Sequence, residues 1–160
     1  MKKLEKFLPL IDIIAAFLGI LAIVFCSLAG VIVEGSLFGV SFKGSYTEFQ
    51  LMFGKGSELD VSAGLVIAFV LLILGILVMG FIAFEQFTKK KLDKNISMLL
   101  GCLGFLFFLV AGIMLFCTFP MCNITADENT KVGAGVIIPG IAAVFAALLS
   151  LPNALKPFVK

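Results

Sequence analysis

Apolar and polar positions along this chain segregate into long blocks. Four stretches, at about 8–33, 62–84, 96–119 and 132–151, run almost free of charge, and the charged residues collect between them. Roughly 20 consecutive apolar residues carry a helix across about 30 Å of hydrocarbon, so each stretch predicts a membrane span. Along the first, Asp12, Ala15, Gly19, Ala22, Cys26 and Ala29 recur at alternating steps of three and four and so share one helix face. All but Asp12 are small, while the other faces carry Ile, Leu, Val and Phe. Such a stripe lets a second backbone approach closely while the bulky faces meet lipid. The second stretch repeats it with Gly64, Ala68 and Gly75, and the third with Ser97, Gly101, Gly104 and Ala111. Phe108 shares the face of the third stretch, where it is expected to fill the gap left by a glycine opposite. The fourth has Gly133, Gly140, Ala143, Ala147 and Ser150, with a bend expected at Pro139-Gly140 and an end at Pro152. These seams predict an all-α integral membrane protein: one domain over 1–160, an antiparallel four-helix bundle with no room for a wide aqueous pore.

A different period appears between the first two spans. Phe38, Val40 and Phe42 alternate with Gly39, Ser41 and Lys43, and alternation resumes from Tyr46 to Phe53 after Gly44-Ser45. Gly followed by Ser suits a two-residue type II′ turn, which predicts a hairpin at about 37–53. Phe42 would then face Thr47, Val40 would face Phe49, and Phe38 would face Leu51. That register gathers the apolar side chains on one face, and a slip of one residue would scatter them. A two-stranded hairpin is marginal alone in water, so its apolar face is expected either to cover the end of its own bundle or to meet a partner. The candidate partner surface is Phe38, Phe42, Tyr46, Phe49 and Phe53.

Composition agrees with the pattern: 61% of the 160 residues are hydrophobic and 14% charged, leaving no length for a separate soluble domain. The opening Met-Lys-Lys-Leu-Glu-Lys has the outline of a signal peptide. The apolar run behind it exceeds the usual h-region of about 7–15 residues, so an uncleaved first span is expected. Lysine placement then sets orientation. Lys2, Lys3, Lys6, Lys89, Lys90, Lys91, Lys94, Lys156 and Lys160 fall on one side, and only Lys43, Lys55 and Lys131 on the other. The positive-inside rule puts both termini in the cytoplasm of what is expected to be a bacterial plasma membrane.

Candidate chemistry is sparse. The chain has no His, no Trp and no Arg, which removes the commonest general base and metal ligand and the bidentate binder of phosphate or carboxylate. No pattern calls for a catalytic residue, a metal, a cofactor or nucleic acid. Asp12 is the one acid well inside an apolar run, either a structural acid bonded to Lys94, Ser97 or a helix end, or a proton or cation site. In this single respect the chain resembles the four-span small multidrug transporters. Cys117 and Cys122, at the end of the third span, are spaced for a structural disulfide on an oxidising side. They lack the C-x-x-C pattern of the membrane thiol oxidoreductases.

Taken as a layout, four spans with cytoplasmic ends, a long first outer loop with β character and a short second one resemble the claudins and related tetraspan proteins. Their W-G-L-W loop signature and its cysteine pair are absent, so the resemblance covers topology and no individual residue. It implies a role in lateral or outer-face association. The function expected is a non-enzymatic scaffold or accessory subunit whose partners are lipids and other membrane proteins or further copies of itself. The alternatives are a small transporter or channel subunit using Asp12, and a thiol oxidoreductase.

Overall fold

The small-residue stripes become the buried sides of four long helices. In the computed structural model, which describes residues 2–37, 40–56, 59–88, 93–122 and 129–155, these are α1 (Lys2–Phe25), α3 (Ala63–Phe87), α4 (Lys94–Phe116) and α6 (Ala134–Leu155). All four are long and apolar enough to cross a membrane, and the protein is an integral membrane protein with four spans. α1 packs against α3 and α6, and α4 packs against the same two. Half of the α6 span is buried inside the bundle, against 28% of the α1 span, so α6 is the helix most enclosed by its neighbours.

Bulky side chains over glycines set the close approaches. The Phe108 ring lies at the centre, where a methyl group on Gly19 would stand 2.7 Å from it and one on Gly75 2.8 Å. This is the knob that the third stripe predicts. Met79 from α3 sits over Gly104 in the same way, and Phe116 over Gly140. Asp12, Ala15, Ala22 and Cys26 are fully buried, as are Ala68, Ala111, Ala143 and Ala147, while Leu10, Phe17, Ile67, Leu77, Ile113 and Phe145 are exposed around the outside. That is the arrangement lipid favours and water would reverse.

Several boundaries differ from expectation. α1 ends at Phe25, and Ala29–Leu37 forms a strand, β1, where the apolar run had been read as helix to Val33. The reason is length. Phe7–Phe25 is already an apolar span of 19 residues, interrupted by Asp12 alone among charged residues, a rise of about 28 Å, and the β-branched run Val31-Ile32-Val33 beyond it suits a pleated strand better than a helix. β1 pairs antiparallel with β2 (Val40–Thr47), matching Leu37 with Val40, Gly35 with Phe42 and Ala29 with Thr47. The expected turn at Gly44-Ser45 therefore lies inside β2, the last described pair of the two strands is Leu37 with Val40, and the expected pairing of Phe38 with Leu51 falls on a residue outside the described ones. On its other edge β1 takes β3 (Thr130–Val132), giving the order β2-β1-β3. Glu34 bridges both neighbours, reaching Lys43 at 3.1 Å and Lys131 at 2.6 Å.

Residues 48–53, expected to be the second hairpin strand, form a short helix, α2 (Glu48–Phe53). A reciprocal capping box starts it: the Thr47 hydroxyl accepts from the Gln50 N–H, and the Gln50 side chain accepts from the Thr47 N–H. Leu51 and Met52 are buried by it. A single turn, α5 (Thr118–Met121), follows α4. α6 does not stop at Pro152 but runs through it to Leu155. Proline in the last turn leaves only the Leu148 carbonyl without its helical partner, and the added residues bring Asn153 onto the buried face.

Candidate functional site

Two clusters of buried polar groups stand at opposite ends of the bundle. The first lies away from the sheet, where α1 contributes Asp12, the last turn of α3 contributes Gln86, and the last turn of α6 contributes Asn153. Asp12 and Asn153 are both fully buried. Gln86 Nε2 donates to Asp12 Oδ2 at 2.9 Å and lies 3.4 Å from Asn153 Oδ1. Asn153 Nδ2 donates to Asp12 Oδ1. Each carboxylate oxygen thus accepts from a side-chain amide. The backbone makes this reach possible, because a methyl on Gly101 of α4 would stand 2.7 Å from the Ala154 nitrogen. Without that glycine the end of α6 could not come in so close.

Gln86 and Asn153 carry no signal in the sequence as partners for Asp12. Both follow long apolar runs at the ends of spans, where polar residues are ordinary, and only the register between α1, α3 and α6 brings them together. A neutral amide can hold a carboxylate without bringing a second charge into the bilayer, which suits this depth.

The second cluster lies under the sheet. Glu48, the first residue of α2, is fully buried. Its Oε1 is 2.7 Å from the Thr118 hydroxyl, and its Oε2 has no partner. Burial pushes the carboxyl up to about 7. Cys26 faces it from the end of α1, and chiefly burial pushes that thiol up to about 12. Cys122 is also raised, chiefly by burial, against a hydrogen bond with Ser62 that lowers it. Ser62 caps α3 and donates to the Met121 carbonyl at 3.0 Å. The sequence hint for Glu48 was the Thr-x-x-Gln capping box at Thr47, obscured by the alternation around it.

The remaining predicted residues scatter. Cys26, Cys102, Cys117 and Cys122 are all free thiols, and the turn of α5 stands between Cys117 and Cys122, so the expected disulfide is not formed. Phe49 turns toward the bundle, its ring 5.8 Å from Phe69 of α3. Phe53 also meets Phe69, at 5.7 Å, yet stays 51% exposed. Tyr46 packs on the core beneath the Lys55 ammonium, 5.4 Å from its ring centre. Phe38 and the side chain of Phe42 lie outside the described residues. Of the three described side chains, Tyr46 and Phe49 are partly buried against the core and Phe53 is exposed. No protein-family model matches the chain, and no curated protein is similar to it.

Proposed function

We propose that the protein is a non-enzymatic membrane scaffold or accessory subunit, acting through its lipid-facing helix sides and the sheet end. The observation that supports this is the filled axis. Between the Asp12 cluster and the Glu48 cluster stand Phe108, Leu72, Ala15, Ala22 and Ala143, all fully buried and apolar. Among the described residues the one other buried polar group along it is Ser150, whose hydroxyl donates to the Ala147 carbonyl of its own helix, so a hydrated ion meets no continuous polar path, and the two amides on Asp12 give that acid a structural task. In this reading both termini are cytoplasmic, on the lysine distribution, and the sheet faces outward. The tetraspan resemblance enters as layout only. The contact candidates are the exposed half of Phe53 and the outer edge of β2.

The experiment is purification of the full chain in a gentle detergent, with mass spectrometry of whatever accompanies it. A specific companion or stable self-association is expected, and it should be lost on Phe53→Ser. Recovery as a lone monomer, before and after cross-linking in the native membrane, would overturn the reading. The transporter alternative is tested separately. Asp12→Asn, which keeps the size and an acceptor oxygen, is expected to leave proton and cation flux in proteoliposomes at the level of empty vesicles, as is the unaltered protein. Flux in the unaltered protein that Asp12→Asn abolishes would instead establish the transporter.

A further inference from the structure

The hydrogen bonds around Glu48 require more protons than Thr118 can supply. Its Oγ1 lies 2.7 Å from Glu48 Oε1 and 2.6 Å from the Leu115 carbonyl oxygen. A hydroxyl carries one hydrogen, and a carbonyl oxygen can only accept. Aimed at Glu48, that hydrogen would leave two bare oxygens 2.6 Å apart at Leu115. Aimed at Leu115, it leaves Thr118 able only to accept, so the proton in the contact with Glu48 must come from the carboxyl. The unpartnered Oε2 then belongs to a neutral acid, whose carbonyl oxygen is far cheaper to bury than a carboxylate.

The surroundings point the same way. Among the described residues, the titratable groups facing Glu48 are the Cys26 and Cys122 thiols, which would supply only negative charge. From α5 it meets the Thr118 hydroxyl. β1 presents only the bare backbone of Gly30, where a methyl group would run into Oε2. α2 is tied to the α1–β1 junction by Glu48 N–H donating to the Leu28 carbonyl and Phe49 N–H donating to the Cys26 carbonyl. We propose that Glu48 is a proton-binding site held as a neutral carboxylic acid, and that its hydrogen bond to Thr118 latches α2 onto the bundle until deprotonation releases it.

Release would uncover Leu51, Met52 and Cys26 at the sheet end, so that end presents one surface in acid and another above neutrality. The sign follows from linkage. The latched acid keeps its proton up to about pH 7, and the released one only up to its ordinary value of 4.5. Between these limits closure weakens about tenfold per pH unit as pH rises. Below them both forms are protonated and above them neither is, so the effect levels off after about two orders of magnitude.

Hydrogen-exchange protection of residues 48–53, corrected for intrinsic exchange, tests this on the full chain in lipid nanodiscs between about pH 5 and pH 8.5. Protection should fall through that window in the unaltered protein. It should stay flat in Glu48→Gln, whose amide can donate to Thr118 without titrating. Parallel profiles, or a flat profile in the unaltered protein, would overturn the latch. A second measurement needs no variant: in protein labelled with carbon-13 at the glutamate carboxyls, the infrared band of a protonated acid should be present at pH 6 and gone by pH 8.5. Absence of that band at pH 6 would overturn the neutral acid itself.

Discussion

Phe108→Ala is expected to destabilise the bundle by about 2–4 kcal/mol, measured by steric trapping or by unfolding in a graded detergent mixture. Phe→Ala in a water-soluble core costs about 3–5 kcal/mol, part of it the transfer of apolar surface to water. Here the separated helices remain in lipid, so the transfer part shrinks and the cost of the unfilled space remains. The space is large because three helices converge on it: Gly19 from α1 and Gly75 from α3 both lie against the ring. The reciprocal change makes the test sharper. Gly75→Leu drives a branched side chain into the same ring and should cost a comparable amount alone. Combined with Phe108→Ala, which vacates that space, it should cost less than the sum by about 1 kcal/mol or more, the coupling expected of residues in contact. Strict additivity would mean that Phe108 and Gly75 do not share a site.

This contact was legible beforehand because lipid imposes a simple rule on sequence. Where every helix face must be apolar, the informative difference is size, and a single ring among glycines identifies itself. The same simplicity hides other features. In an apolar block Val31-Ile32-Val33 reads equally well as helix or strand, and only the approximate thickness of hydrocarbon, already spanned by Phe25, decides between them. At the sheet, the Gly44-Ser45 turn signal was locally sound but lost to a longer pairing with β1. The structure places nothing within 4 Å of where a Gly44 side chain would begin, so that glycine sits in the strand without strain. Glu48 was the hardest to read. An acid in a loop of alternating residues looks solvent-facing, and its burial depends on Thr118 arriving from 70 residues away. Asp12 was legible as an oddity, yet its partners were not, because amides at span ends are common and their register is a tertiary fact.

The Asp12 cluster therefore carries the other large prediction, expressed as an order of effects. Asn153→Leu removes one of the two amide donors and leaves a buried carboxylate short of a partner, with an expected loss of about 3 kcal/mol. Asp12→Leu leaves the amides of Gln86 and Asn153 facing an apolar side chain and should cost about 2 kcal/mol. Gln86 limits that loss, since its Nε2 still lies 3.4 Å from Asn153 Oδ1. Asp12→Asn retains an acceptor and should cost less than either. The double change Asp12→Leu with Asn153→Leu should recover part of the loss, because exchanging both partners for apolar groups leaves fewer buried groups unpaired. Folding stability in lipid measured across these four variants gives the order directly. Equal and small effects in all of them would mean that water reaches Asp12, and the amides would then have no part in holding α1, α3 and α6 together at this end.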